Sequence, residues 1–233
     1  MKENEDLSNI EENLRLIELL TGEIALMTPP RVHLQNEHRA YAGAWLREHD
    51  LYGGSCIAFH PGGDLRKNHV RKRWSSERFI ELGQRLACDT GATILLFGGS
   101  EEESLNNKIA SAIGEDSHVV MTDDLLEAAA VFERCAHAVT NDTGWMHLAA
   151  ALGVPTTAIF GPTSPTLVRD PFARRTEVQL GLACQPCFYY SPRHVHCRYG
   201  DFRCLRDLSA ETVFATVLEN IRQAPIAPTS AGA

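Results

Sequence analysis

The sequence AVTNDTGWMHLAAALGVPTTAIF, residues 138–160, contains the pattern from which the fold class is predicted. It begins with an apolar run over residues 138–140, turns through polar Asn-Asp-Thr-Gly, and continues as an Ala- and Leu-rich helical segment over residues 144–152. A second apolar, β-branched run follows over residues 156–160. A strand, a helix and a strand in this order predict a βαβ unit with two parallel strands.

The same alternation extends from this unit towards both ends of the chain. Short apolar runs predict further strands over residues 56–60, 93–97, 118–121 and, as a sixth, 177–180. Helical periodicity is found between them over residues 76–88, 102–113 and 125–135. Continuous apolar strands that alternate with helices predict a doubly wound, Rossmann-like α/β fold, with a parallel sheet covered on both faces.

The two ends of the chain depart from this pattern. An amphipathic helix is predicted over residues 10–20, a short strand over 31–34 and a further helix over 37–49. Near the other end, a helix over residues 209–223 begins with a capping serine and an acidic first turn. The Pro-, Ala- and Ser-rich tail over residues 225–233 is predicted to be disordered.

Composition excludes several classes of protein. With 233 residues, of which 44% are hydrophobic and 22% charged, the chain suits one large globular domain or one domain with a fragment of another. A formal net charge of -8 argues against broad nucleic-acid binding. No apolar run reaches the length of a membrane span, and the acidic N-terminus is unlike a signal peptide, so we expect a cytoplasmic protein.

Four loops are predicted to meet at the edge of the sheet where ligands bind. In open parallel sheets this edge is formed by the carboxyl ends of the strands. The loops are residues 60–63 with the basic stretch that follows, 98–102, 141–147 and 161–165. Neither a G-x-G-x-x-G motif nor a P-loop follows any predicted strand, so the usual nucleotide fingerprints are missing.

The third loop is the most informative of the four. The backbone N–H groups at the start of the helix after Asp142 form an anion site, and Gly144 allows close approach of a phosphate. Thr143 adds a hydroxyl donor, and His147 lies one helical turn further on the same face. The alternative is that Asp142 only caps the helix and that His147 packs against the sheet.

Charged residues in the first two loops allow two interpretations each. The stretch over residues 66–74 is basic within an acidic protein, and one of its cations could reach a phosphate; the alternative is a solvated loop. Glu101 and Glu102 could accept hydrogen bonds from ribose hydroxyls. They could equally be first-turn glutamates that the helix dipole favours.

The seven cysteines fall into two groups. Cys56, Cys88 and Cys135 occur singly in apolar surroundings and are predicted to be small core residues. The other four lie in what we call the cysteine segment, residues 184–204, and they are Cys184, Cys187, Cys197 and Cys204. Their spacing permits a structural zinc site, with His194 and His196 as competing ligands. We favour four reduced cysteines without metal, and a disulfide is the third alternative.

Six motifs succeed one another in an order that is typical of one family. They are His60-Pro61-Gly62, Lys72-Arg73-Trp74, the helix with Phe79, Leu82 and Leu86, FGGSE at 97–101, NDTG-x-MHLAAALGVP at 141–155 and FGPT at 160–163. This order resembles glycosyltransferase family 9, the heptosyltransferases of lipopolysaccharide inner-core synthesis. The cysteine segment is similar to that of the heptosyltransferase II branch, and the resemblance covers about residues 45–222.

The resemblance implies the C-terminal half of a GT-B glycosyltransferase, in which two Rossmann-like domains face each other across a cleft. In that family the C-terminal half binds ADP-heptose and the N-terminal half binds a lipid-linked saccharide acceptor. The resemblance also implies that transfer inverts the configuration at the anomeric carbon and needs no metal ion. The implied divisions are an N-terminal-domain remnant with linker at 1–48, the donor domain at 49–208, the C-terminal helix at 209–224 and the tail at 225–233. Peripheral contact with the inner membrane is then an alternative to a purely cytoplasmic location.

The resemblance also assigns roles to residues of the donor half. Lys72 would bind the phosphates, with Lys67 as the alternative, and Glu101 or Glu102 would bind the ribose. The residues expected around the diphosphate are Asp142, Thr143, Gly144 and His147. The family's acidic general base lies near the start of the N-terminal domain, and nothing in this sequence matches it. The catalytic base is therefore unknown, and an N-terminal half-enzyme is a candidate partner.

Two other functions compete with a glycosyltransferase. A nucleotide-sugar epimerase would share the GT-B architecture, but the Asn-Asp-Thr-Gly-x-Met-His motif argues against it. A non-catalytic nucleotide-sugar-binding module is favoured by the unmatched base, whereas the complete set of donor-side residues argues against loss of function.

Overall fold

Six parallel strands form the centre of the protein. The computed structural model describes residues 7–188 and 195–223, without the side chains of Lys67 and Asn68. The strands are β1 (Cys56–His60), β2 (Thr93–Phe97), β3 (Ser117–Val120), β4 (His137–Asn141), β5 (Thr156–Ile159) and β6 (Arg175–Val178). They lie in the order β3-β2-β1-β4-β5-β6. This is the strand order of doubly wound dinucleotide-binding folds, and it confirms the predicted fold class.

Helices cover both faces of the sheet. They are α1 (Asn9–Thr21), α2 (Asn36–Glu48), α3 (Ser76–Thr90), α4 (Glu103–Ile113), α5 (Leu125–Phe132), α6 (Gly144–Leu152), α7 (Arg203–Arg206) and α8 (Ala210–Gln223). Side chains of β1 alternate between the faces: Ile57 and Phe59 pack with α3, α4 and α8, whereas Cys56 and Ala58 pack with α2, α5 and α6. Two apolar layers therefore enclose the sheet, as the continuous apolar strands predict.

The structure differs from the prediction at a predicted strand, at the start of the sixth strand and at one cysteine. Residues 31–34 form no strand; Val32 and Leu34 instead pack into the core beneath α2 and α5. The sixth strand begins at Arg175 rather than at residue 177. Cys88 is exposed, because the buried face of α3 is set by Phe79, Leu82 and Leu86, and Cys88 points away from it. Cys56 and Cys135 are buried as predicted.

The ends of the chain are organised by helix caps. At α1, Ser8 accepts from the backbone N–H of Glu11, whose carboxylate accepts from the N–H of Ser8. At α8, Ser209 Oγ accepts from the N–H of Thr212 at 3.2 Å, which confirms the predicted cap. α2 packs against the same core as β1, through buried Trp45 among others. The predicted disordered tail at 225–233 lies outside the described residues.

None of the helices within residues 7–188 and 195–223 is both long and apolar enough to cross a membrane.

Candidate functional site

A cavity of about 300 Å³ opens at the carboxyl ends of β1 and β4. These neighbouring strands are where the strand order reverses, which is the usual ligand position in doubly wound sheets. The residues that line the cavity are Asn9, Gly62, Asp64, His69, Lys72, Arg73, Asn141, Asp142, Thr143, Gly144, His147 and Val168. Five predicted site residues, Lys72, Asp142, Thr143, Gly144 and His147, are thus brought together.

Asn141, the last residue of β4, joins the segments that line the cavity through hydrogen bonds of its side chain. It is fully buried, and its Oδ1 accepts from the backbone N–H of Trp74 at 3.0 Å. Its Nδ2 donates to the carbonyls of Pro61 at 2.8 Å and Gly62 at 3.1 Å. The indole N–H of Trp74 donates in turn to the carbonyl of Leu208 at 3.0 Å. One side chain therefore fixes both ends of the loop after β1 against β4.

A buried ion pair joins the first and third loops. Lys72 ends a 3₁₀ helix (Arg66–Lys72), and its Nζ lies 2.6 Å from Asp142 Oδ2. Thr163 Oγ1 donates to the same oxygen at 2.8 Å. Lys72 is 7% exposed and Asp142 3%. Buried charges are costly unless they are paired and hydrogen-bonded, and each of these two groups has such a partner. The ion pair therefore holds the Lys72 ammonium at the wall of the cavity.

The start of α6 has the features of an anion site. Thr143 is its N-cap residue, and the side chain of Thr143 makes no capping hydrogen bond. The alternative in which Asp142 only caps this helix is therefore wrong, because the Asp142 carboxylate is engaged by Lys72 and Thr163. Gly144 is exposed, and the space around its Cα is open. Uncapped N–H groups and the helix dipole together favour a negatively charged ligand here.

His147 lies one turn into α6, at the cavity, and does not pack against the sheet as the alternative proposed. His147 is exposed. Desolvation by the surrounding protein, and then the charge of Arg175, lower the pKa of His147. A neutral ring at physiological pH still has one N–H donor for a ligand oxygen.

The two glutamates of the second loop differ in position. Glu102 accepts from the backbone N–H groups of Gly63 and Gly99, each at 2.9 Å, and pairs with Arg73 at 3.4 Å. A Cβ at Gly62 would lie 2.4 Å from the Glu102 carboxylate, so a larger residue there would displace the Glu102 side chain. Glu102 thus fastens the first loop to the second, and Glu101 is exposed. Neither residue lines the cavity, and the ribose contact stays a prediction.

The other cations of the basic stretch have several roles. Arg66 pairs with Asp64, the guanidinium of Arg71 lies over the Phe202 ring, and Arg73 donates to the carbonyl of Gly63. The side chain of Lys67 lies outside the described residues. Among the described cations of this stretch, Lys72 and Arg73 line the cavity.

The cysteine segment lies next to the carboxyl end of β5. Gln185 Nε2 donates to the carbonyl of Gly161 at 2.6 Å, and a Cβ at Gly161 would meet the Leu205 side chain at 2.6 Å. Burial, and then the neighbouring cysteines, raise the pKa of Cys204 to about 11. None of the seven cysteines, all of which lie within the described residues, is joined in a disulfide in the structure.

No metal site is formed by the described part of the chain, in the sense that no three His, Cys, Asp or Glu side chains there are placed to hold one ion. His194, a predicted competing ligand, lies outside the described residues. Whether the purified protein contains zinc stays a prediction.

Three residues that build the site were predicted to lie in these loops but were given no individual role. Asn141 and Thr163 fix the loops and the ion pair, and His60 Nδ1 lies 3.1 Å from Thr143 Oγ1. Their position in the sequence could have identified them, because each lies at or just after the carboxyl end of a predicted strand.

Comparison with known proteins finds glycosyltransferases among those similar to this chain. The family model described as glycosyltransferase family 9 (heptosyltransferase) matches residues 2–196. Lipopolysaccharide heptosyltransferase 2 of Escherichia coli K12 is 33% identical over 114 residues, which are 47% of this chain and 32% of that protein. Lipooligosaccharide heptosyltransferase 2 of Campylobacter jejuni NCTC 11168 is 30% identical over 170 residues, 69% of this chain and 49% of that protein. The chain thus matches half or less of the length of these relatives.

A solved structure of another heptosyltransferase is also similar to this chain. The E. coli heptosyltransferase WaaC with ADP-2-deoxy-2-fluoro heptose is 26% identical with a TM-score of 0.52, and the match covers 72% of this chain and 44% of that chain. The family match includes β1, β4 and α6, the elements that form the cavity. Because the family model matches most of the chain, including these elements, the chain belongs to glycosyltransferase family 9, the heptosyltransferases.

Proposed function

We propose that this chain is the donor-binding part of a heptosyltransferase that takes ADP-activated heptose and transfers the sugar to the lipopolysaccharide inner core. One observation carries the proposal: the uncapped start of α6, the Lys72 ammonium and the donors of Thr143 and His147 converge on one cavity at the switch point of the sheet. A nucleoside diphosphate has the charge and the acceptor oxygens that this set of donors would bind.

The same donors would assist the chemical step. Transfer breaks the bond between the anomeric carbon and the diphosphate, so negative charge develops on the departing ADP. Lys72 and the first N–H groups of α6 would stabilise that charge, and Asp142 would hold Lys72 in place. These groups supply positive charge without a cofactor, and we propose inverting, metal-independent transfer.

The acceptor would be bound by the other half of the enzyme, on a longer polypeptide or on a partner chain. The match to half or less of the curated relatives supports this division of labour. That half would also supply the general base, which inverting transfer needs to take the acceptor proton. Because the acceptor is lipid-linked, we propose a cytoplasmic protein that works at the inner membrane. The family match favours this function over an epimerase and over a module without catalysis.

Calorimetry with ADP tests the donor site. We expect wild-type protein to bind ADP and Lys72→Met to bind it about 10–100-fold more weakly, because a hydrogen bond between charged groups contributes about 1.5–3 kcal/mol. Lys108→Met is the matched control, since Lys108 lies on α4, exposed and paired with Glu77. Absence of ADP binding at millimolar concentration, or equal effects of the two variants, would contradict the proposal.

A transfer assay tests the division of labour. With ADP-heptose and a heptose-acceptor lipid, we expect little transfer by this polypeptide alone, because general-base assistance is worth about 10²–10⁴-fold. Addition of the acceptor-side half should restore transfer. Transfer by the chain alone at the rate of the two halves together would show that a residue described here serves as the base.

A further inference from the structure

His60, the last residue of β1, is buried beside the cavity and has no role in the mechanism above. Only 2% of the residue is exposed. Its Nδ1 lies 3.1 Å from Thr143 Oγ1. The indole of Trp145 stacks on the ring, with the ring centroids 5.5 Å apart and an interplanar angle of 26°. The ring is therefore held in one plane, with one nitrogen directed at Thr143.

Thr143 is held by the same surroundings. A Cβ at Gly63 would lie 3.1 Å from Thr143 Cγ2, so this methyl group packs against the glycine. The two heavy atoms on the Cβ of a threonine also restrict its χ1 rotation. The Thr143 methyl group packs against Gly63 and the Thr143 hydroxyl oxygen faces His60. The main remaining conformational freedom of this side chain is therefore the direction of its hydroxyl proton.

The ring can direct that proton in two ways. Burial, and then the charge of Arg73, lower the pKa of His60 to about 3, so the ring is neutral at physiological pH. A neutral imidazole has one N–H donor and one acceptor nitrogen. If Nδ1 is the acceptor, the Thr143 hydroxyl donates to His60. If Nδ1 carries the proton, it donates to Thr143 Oγ1 and leaves the hydroxyl proton free to point into the cavity.

A bound diphosphate selects one of these arrangements, because its charged oxygens accept hydrogen bonds. We propose that His60 is a positioning residue: in the Nδ1–H tautomer it donates to Thr143 Oγ1 and directs the Thr143 hydroxyl proton at the diphosphate of the bound nucleotide. This inference rests on the proposed function, because the nucleotide diphosphate is the ligand of that function. His60 itself does not touch the ligand.

A double-mutant cycle measures this role. ADP and adenosine are titrated by calorimetry into wild type, His60→Leu, Thr143→Val and the double variant. We expect each single change to weaken ADP binding about tenfold and the double change to add little, because both remove the same hydrogen bond to a charged group. Adenosine, which has no phosphate, should bind all four equally. His60→Asn, whose amide can donate near the position of Nδ1, should restore most of the ADP affinity.

A second readout does not depend on how the variants fold. In the ¹⁵N NMR spectrum of wild-type protein with ADP, we expect His60 to carry its proton on Nδ1. A proton on Nε2 in the complex, additive effects in the cycle, or equal losses for ADP and adenosine would overturn the role of His60. Failure of wild-type protein to bind ADP would overturn the proposed function itself, and this result is distinguishable from ADP binding with an additive cycle.

Discussion

Breaking the buried pair of Lys72 and Asp142 should destabilise the fold as well as the proposed donor site. Lys72→Met keeps a side chain of similar length but leaves the Asp142 carboxylate, 3% exposed, without the ammonium 2.6 Å away. Loss of one partner of a buried ion pair costs about 3–5 kcal/mol. Because Thr163 Oγ1 still donates to the carboxylate, we expect a value near the lower end.

The double variant separates the charge from the packing. In Lys72→Met with Asp142→Asn no charge is left unpaired, so we expect it to recover about 1–3 kcal/mol relative to Lys72→Met alone. Urea unfolding at neutral pH gives the free energies. In thermal unfolding, a loss of 3 kcal/mol corresponds to a midpoint lower by roughly 6–12 °C in a domain of this size.

Two results would refute the reasoning about this pair. One is a loss below about 1 kcal/mol for Lys72→Met, which is the range of an exposed ion pair. The other is a double variant whose loss equals the sum of the two single losses, since this would mean that the two side chains do not interact. The exposed pair of Lys108 with Glu77 is the internal control, and its Lys108→Met variant should stay within that smaller range.

Three further predictions concern pH, a helix cap and metal content. His60 and His137 have folded-state pKa values of about 3 and about 4, lowered first by burial from 6.5. Their stabilising contribution is complete above pH 6.5; as the pH falls towards the folded-state values, the unfolded chain takes up protons that the folded chain does not, and each ring lowers the free energy of unfolding by about 1.4 kcal/mol per pH unit. These two rings together should therefore lower the free energy of unfolding in urea by about 4 kcal/mol between pH 7 and 5. His137→Asn should halve that loss, and an unchanged loss would contradict the assignment. Ser209→Ala removes the cap of α8 and should cost about 1 kcal/mol in the same assay, whereas no loss would mean that the cap is not formed in solution. Elemental analysis of protein purified without chelator should find clearly substoichiometric zinc, and one zinc per chain would show that the four cysteines of the cysteine segment bind it.

The local patterns of the sequence determined the architecture and the most informative loop. Continuous apolar runs separated by amphipathic helices leave few arrangements other than a covered parallel sheet. The cluster of Asp142, Thr143, Gly144 and His147 was predictable because a strand end and the following helix start lie within one short stretch of chain. Helical periodicity likewise accounts for the core face of α3, and the same period explains why Cys88 is exposed.

Which residues of different loops meet depends on the three-dimensional arrangement of the strands. Lys72 and Asp142 are 70 residues apart in the chain, and His60 and Thr143 are 83 apart. Each pair is in contact because β1 and β4 are neighbours in the sheet although two strands separate them in sequence. That pairing results from burial of both sheet faces at once, which is a property of the whole chain and leaves no local signal. A short motif can therefore indicate the candidate anion site, whereas the partners that orient its side chains follow from the topology.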